Sequence, residues 1–300
     1  MKLSLAHTLR HYDKKNIGKD ILAGLIIMAV SIPISMGYAL IAGLPAVYGL
    51  YGSVFPILVF ALLSTSPQFI FGVDAAPAAL IGSALLTLHV EAGSEEAMAV
   101  VPVLTFFVAM WLLAFSFMKA GKLVNYISAP VMGGFITGIC STIILMQVPK
   151  ILGGTAGTGE FFELAKHIGQ TAKHVNMPSI LLGVASLVIL LVAKKLVPKF
   201  PMAVVLMVAG ACYTRVGNVR ELGIQTLSKV ETGLPQWQIP DFSAVSIREA
   251  VTVSLSVAVV IMAETLLAEN NFAQKNGYRI DDNQEIFAFS VRNFLAAFTG

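Results

Sequence analysis

Three charged side chains stand inside stretches that are otherwise apolar: Asp74 in "FGVDAAPAAL", Glu264 in "SVAVVIMAETLLAEN" and Arg292 in "IFAFSVRNFLAAF". Ionised groups in such a setting are costly, turn toward a protein interior or a wet cavity, and mark ligand or ion pathways. Asp74 is followed by Pro77, which suits the first turn of a helix and disfavours its interior. That places a helix start at about Asp74 to Pro77, where free backbone N–H groups and the helix dipole, about half a positive charge, can hold an anion. Gly72 permits close backbone approach, and Val73, Ala75 and Ala76 leave room beside it for a small ligand. Larger side chains at Ala75 or Ala76 are therefore expected to block binding. Asp74 also has the right chemistry to cap its own helix, and the two roles are compatible.

Glu264 falls a little past the middle of a helix read from about 247 to 276, with Gly277 as its terminator. A carboxylate at that depth suits a proton or a Na⁺ ion, and Thr265 beside it and Ala268 one turn on complete the ion-coupling candidates. Arg292 is ten residues into the next segment. Two uses stay open for it: a charge partner for Glu264 or a bound anion, or a side chain that snorkels to the interface. In the first apolar run, Pro33 sits among Ser31, Ser35 and Tyr38, and a proline-freed carbonyl invites such side chains either to repair the backbone or to face a ligand.

These groups need an unusual frame. Of the 300 residues, 56% are hydrophobic and 12% charged, which excludes an ordinary water-soluble domain. Apolar runs of about 20 residues recur, each long enough to cross a ~30 Å hydrocarbon core as a helix. The expected spans are near 20–41, 47–63, 74–89, 98–118, 125–148, 178–197, 201–215, 247–276 and 282–299. The third is entered through "STSPQFIF", a β-leaning run, so it is expected to cross as a short β segment followed by a half-helix. The basic stretch 1–19 reads as a cytoplasmic lead-in, because Lys and Arg concentrate on its side of the membrane. Glu91, Glu95 and Glu96 then lie outside. The net charge of +3 is accounted for by this topology, without a nucleic-acid partner.

"GEFFELAKHIGQTAKHV" reads as an amphipathic helix on the outer face, carrying His167 and His174 on one side as solvated histidines. Cys140 and Cys212 have no neighbours suited to a metal or a disulfide and read as small packing residues. The sequence contains no Walker loop, HExxH or G-x-S-x-G, so ATP-driven transport and hydrolase chemistry have no local support, and no enzyme activity is expected.

Three blocks carry a family resemblance. "SIPISMGYALIAGLPAVYGLY" resembles the first-span motif of the sulfate permease (SulP) anion transporters, "STSPQFIFGVDAA" resembles their GTSR-x-x-x-x-GPDAA, and "AETLLAENNFAQKNGYRIDDNQE" resembles their ESLL…D-x-NQE. Ile34, Pro67 and Val73 depart from the Gln, Arg and Pro of those motifs. The resemblance implies an all-α integral membrane fold of two inverted seven-span repeats, with an anion held between the half-helices of the third and tenth spans. It makes 20–215 the first repeat, 216–246 an outer loop and 247–300 the start of the second repeat, with the rest expected to lie beyond this portion. Gly72 to Ala76 would open the first half-helix, Ser35 and Tyr38 would form part of the wall, and Glu264 would be the coupling acid. A homodimer in the cell membrane with a cytoplasmic N terminus is implied. So is transport of a small anion of the sulfate, bicarbonate or dicarboxylate class, with H⁺ or Na⁺ as coupling ion and no cofactor. A neutral-solute permease of the same fold and a non-transporting scaffold are the alternatives.

Overall fold

The computed structural model describes residues 12–122, 129–155, 157, 161–197, 200, 202–219, 221–226 and 233–299. Most of the basic lead-in thus lies outside the described residues. Eleven α-helices follow one another: α1 Ile17–Ile41, α2 Ala46–Tyr51, α3 Phe55–Leu63, α4 Ala75–Thr87, α5 Glu95–Phe117, α6 Ala129–Ile151, α7 Phe161–Thr171, α8 Met177–Leu196, α9 Met202–Val216, α10 Ile247–Asn276 and α11 Asp282–Thr299. Among the described residues, five helical stretches are long and apolar enough to cross a membrane: Lys14–Ile41, Ala46–Leu63, Glu95–Phe117, Met177–Leu196 and Ile247–Asn276. Three more, Ala75–Thr87, Cys140–Ile151 and Met202–Val216, are apolar but shorter. The segment expected as the ninth span is helical, α11, but with Asp282, Gln284, Glu285, Arg292 and Asn293 it is not among the apolar membrane-length helices, and it packs on α5 and α3.

The second expected span is two helices, because Gly52 ends α2 and Pro56 restarts the chain in the first turn of α3. The β segment expected before Asp74 is corrected. Residues 64–74 run without helix, and no strand is present among the described residues. A β ladder needs a partner strand, and this stretch is held by side chains. Thr65 donates its N–H at 2.6 Å and its hydroxyl at 2.5 Å to Glu285 Oε1, while Phe71 packs between Phe60 and Phe289.

The chain forms two compact units. The first comprises Ser35–Thr137 and Glu231–Gly300 with Met1–Lys15. In it α11 lies against α5 and α3, and α10 lies against α5 and α4. Helix-to-helix polar contacts fix these placements: Ser290 Oγ donates to Ala109 O at 2.8 Å, Trp111 Nε1 to Val251 O at 3.0 Å, and Gln284 Nε2 to Leu63 O at 2.7 Å. Backbone contacts are equally close at Gly49, where a Cβ would overlap the carbonyl of Ser35, and at Gly82, where it would overlap that of Ile41. Gly277, at φ 73°, ends α10 in the left-handed conformation as its position predicts.

The second unit comprises Asn16–Ile34 and Gly138–Val230, with α9 packed on α8. Leu181 and Leu191 of α8 are 72% and 61% exposed, an apolar surface suited to lipid. Asn176 caps α8 by accepting from Ser179 N at 2.8 Å, and its amide donates to Leu222 O at 2.8 Å. Within the stretch 159–175 expected to be an amphipathic helix, α7 forms, burying Leu164 and exposing Phe161 and Phe162. It stops at Thr171, so His174 leaves the helix and does not share a face with His167, whose Nε2 lies 3.2 Å from Thr155 O. Cys140 and Cys212 are exposed rather than packed. A small, weakly polar thiol suits an outward apolar face as well as an interior.

Candidate functional site

In the first unit α4 begins at Ala75, with Asp74 in an extended conformation before it, φ −123° and ψ 152°. Its thirteen residues span about 20 Å, too short for a full crossing. Asp74 Oδ1 accepts from Ala75 N at 2.6 Å, and Asp74 O accepts from Ala78 N at 3.2 Å. Pro77 has no N–H, so Ala76 keeps a first-turn N–H outside the helical ladder. Capping and an open donor therefore coexist at this helix start.

The helix start faces a cavity of about 160 Å³, room for a molecule of a few heavy atoms. Its wall includes Tyr38, Gly72, Val73, Asp74, Pro77, Ala78 and Arg292 together with Phe71, Thr105 and Asn293. Five of the residues predicted for the site thus border one chamber: Tyr38, Gly72, Val73, Asp74 and Arg292. Ser35, Ala75, Ala76, Glu264, Thr265 and Ala268 are not part of that wall. Ala75 is 2% exposed and points into packing. Helix geometry brings Ala78, one turn from Asp74, to the chamber instead. Gly72 has nothing within 4 Å of where a Cβ would stand, so it keeps the wall open rather than relieving a tight contact.

Ser35 is also differently employed. Its Oγ lies 2.7 Å from Ser53 Oγ, and Ser53 donates to Gly49 O at 2.8 Å. Ser53's only hydroxyl hydrogen is thereby used, so Ser35 is the donor in that pair. Its hydroxyl knits α1 to the turn after α2 and has no hydrogen left for a ligand.

Arg292 is 6% exposed, and its guanidinium carbon stands 4.1 Å from the centre of the Phe71 ring. A desolvated cation–π contact of this kind contributes about 2 kcal/mol. The side chain therefore does not snorkel: stacking on a ring that is itself wedged against Phe60 and Phe289 holds it at the chamber. Asp74 borders the same chamber as Arg292, and Glu264 does not. Glu264 is coupled by charge to Asp74, and Tyr38 to both acids. Glu264 Oε2 is buried without a hydrogen-bond partner among the described residues. Thr265, next to it, is 3% exposed.

Phe71 and Asn293 are the site residues that sequence reasoning missed. Asn293 was legible as a second polar residue beside Arg292 in an apolar helix. Phe71, an aromatic in an apolar run, carried no signal, because its role depends on which cation lands on its face.

Five helices long and apolar enough to cross a membrane, with a short apolar helix and a buried arginine meeting at one small chamber, are the features of a polytopic membrane protein. Residues 17–300 match the sulfate permease family, and the chain belongs to that family. It is 28% identical over 291 residues to a "Probable sulfate transporter" of Mycobacterium tuberculosis, covering 97% of this chain and 52% of that protein. It is 27% identical over 334 residues to the "Sulfate transporter" of Bos taurus, covering 99% of this chain and 45% of the relative. The chain thus spans about half the length of the curated relatives it matches. Among solved structures it is similar to SLC26A9, with TM-score 0.82, 26% identity and 97% of this chain matched to 49% of that one. It also shares the fold of the transmembrane domain of the cyanobacterial bicarbonate transporter BicA, with TM-score 0.77, 19% identity and 96% of this chain matched to 74% of that one.

Proposed function

We propose that this chain supplies one half of the substrate path of a secondary-active carrier for a small anion of the sulfate, bicarbonate or dicarboxylate class. The observation that carries this reading is the meeting of the α4 N terminus and Arg292 at one chamber wall. Both attract negative charge, the first by its N–H groups and dipole and the second by its full positive charge. The sulfate transporters among its relatives and the bicarbonate transporter among its structural neighbours support the substrate class.

In this reading the chain crosses the cell membrane repeatedly with its N terminus in the cytoplasm, works as a homodimer, and alternates access by an elevator-like movement around the α4 site. The broken third span is completed by an opposing half-helix from the second repeat. Glu264 binds the coupling ion, H⁺ or Na⁺. Flux into proteoliposomes, measured for a panel of anions with and without Na⁺ and a pH gradient, tests the reading. Uptake of no anion by the full-length protein overturns it. Glu264→Gln is expected to remove the dependence on H⁺ or Na⁺ while the protein stays folded, and unchanged coupling excludes Glu264 from that role.

Ala78→Leu is expected to weaken anion binding by at least tenfold with thermal melting largely kept, because the added carbons occupy chamber space. Normal affinity in that variant would place the ligand elsewhere. A neutral-solute permease is the second reading, favoured by Asp74, whose carboxylate stands at the helix start and opposes the charge of Arg292. Uptake of a nucleobase in preference to every anion tested would establish it.

A further inference from the structure

A second acidic locus lies in the first unit and takes no part in the chamber wall. Glu269 of α10 and Glu285 of α11 are both 0% exposed, and their carboxyl groups face each other within hydrogen-bonding reach. Glu285 Oε1 is well supplied: Thr65 gives it an N–H and a hydroxyl, and the Ser64 hydroxyl is also within reach. Glu269 is supplied by nothing. Neither of its oxygens, nor Glu285 Oε2, finds a donor among the described residues.

Two facing carboxylates without water or a cation repel each other, and each would leave buried acceptors unsatisfied. One proton removes the repulsion and gives Glu285 Oε2 a donor, because a carboxylic acid donates to the carboxylate opposite it. The asymmetry of donors says where the charge rests: on Glu285, which receives the bonds from Thr65, while Glu269 carries the proton.

Among the described residues, Arg292 at the chamber apart, the other charged groups on the packed elements are acidic or exposed: α5, which lies on both helices, carries Glu95 and Glu96 in its exposed first turn, and Lys275 at the end of α10 and Arg279 after it are exposed. Helices α3 and α4, packed on α11 and α10, contain no titratable residue. On α10 and α11 the nearby charged group is Asp282, whose Oδ1 accepts from Asn270 Nδ2 at 2.9 Å. Asp281 is committed to the start of α11, accepting from Asn283 N at 3.0 Å and Gln284 N at 3.2 Å. Tyr278 lies 3.3 Å from Ser66 Oγ, and Lys119 and Lys122 beyond α5 are exposed. No group of three or more His, Cys, Asp or Glu suited to a metal occurs among the described residues.

We infer that Glu269 and Glu285 hold one proton between them and form a proton-binding site distinct from the chamber and from Glu264. The site has a mechanical connection. Thr65 opens the stretch 65–74, which leads directly to Asp74, and its Oγ1 also accepts from Asp281 N at 3.0 Å. Loss of the proton sets α10 against α11 at the point where this stretch is fastened. Occupancy of the pair thereby tunes how firmly the chamber's helix start is held.

The test is infrared spectroscopy of the purified protein in lipid nanodiscs, titrated with pH. The parent protein shows the C=O band of a buried carboxylic acid. In a Glu264→Gln background, where that residue contributes no band, the band remains, and adding Glu269→Gln removes it, because a Gln amide donates to Glu285 as the acid did. The parent's thermal midpoint falls as the pH rises from the ordinary carboxylate range and levels off where the band disappears, and Glu269→Gln removes that fall. A band that survives in the Glu264→Gln/Glu269→Gln double variant overturns the proposal. So does its absence from the parent combined with a midpoint that rises with Na⁺, which would make the pair a cation site. Thr65→Val keeps the question answerable if Glu269→Gln does not fold. Removing a donor to the ionised partner moves the loss of the band upward by about one pH unit, and no movement counts against the site. None of these readings requires transport, so their failure leaves the anion reading standing.

Discussion

Arg292→Met is expected to lower the affinity of the chamber for the proposed anion by at least tenfold and to destabilise the fold by about 3 kcal/mol. The two effects share one cause. Arg292 is buried against Phe71 with Asp74 as its charge neighbour, so its removal leaves a carboxylate in a low-dielectric setting with no compensating cation. Breaking a buried pair from one side costs more than replacing both partners, because the survivor keeps its desolvation penalty. The double variant Asp74→Asn/Arg292→Met is therefore expected to regain much of the stability lost by Arg292→Met alone, while anion binding stays lost. Thermal melting and isothermal titration on the four members of this cycle measure both terms. Full stability in Arg292→Met would mean that Asp74 is compensated from elsewhere. Arg292→Lys should fall between, since an ammonium keeps the charge but not the flat face that stacks on the ring.

Gly49→Ala has the second largest expected effect, and it acts on packing. The added Cβ would overlap the carbonyl oxygen and carbon of Ser35, which are backbone atoms with no flexible end to swing aside. Helices α1 and α2 would have to part, stretching the 2.7 Å contact between Ser35 and Ser53. Overpacking costs about 1–3 kcal/mol where side chains can yield, and the upper end applies here. Gly24→Ala, in the interior of α1 with nothing within 4 Å of its Cβ, is expected to stabilise by up to about 1 kcal/mol through helix propensity. Equal melting temperatures for the two variants would refute the close-contact argument.

How much of this was legible follows from what each feature depends on. The helices were, because a bilayer-length apolar run is a local property, and so was the start of α4, because Pro77 and Asp74 act within one turn. Family membership was legible in the same short motifs. The break between α2 and α3 was missed, since Gly52 and Pro56 interrupt a run whose hydropathy never falls. The β-leaning composition of "STSPQFIF" misled for a different reason: strand propensity is realised only when another strand is present to pair with. Contacts between distant segments were out of reach altogether. Glu269 and Glu285 are sixteen positions apart on separate helices, and whether they face each other depends on the rotation of each helix about its axis. Arg292 illustrates the same limit. Its depth could be counted along α11, but the choice between Asp74 and Glu264 as its neighbour belonged to the packing.

The stretch from Ser64 to Asp74 also bears on how the protein is made. Peptide groups outside a helix or a closed sheet cannot be left facing lipid, so this stretch has no stable place in the bilayer on its own. One of its fastenings, from Thr65 to Glu285, reaches across 220 positions of sequence. At a synthesis rate of about 5–20 residues per second, Glu285 leaves the ribosome roughly 10–40 s after Thr65. For that interval α3 and α4 are held at the insertion machinery or at the membrane surface with the link between them unprotected. Fastening of this stretch is therefore a late event that waits for α11, and nascent chains arrested before residue 282 should be recognised by membrane quality control as unfinished.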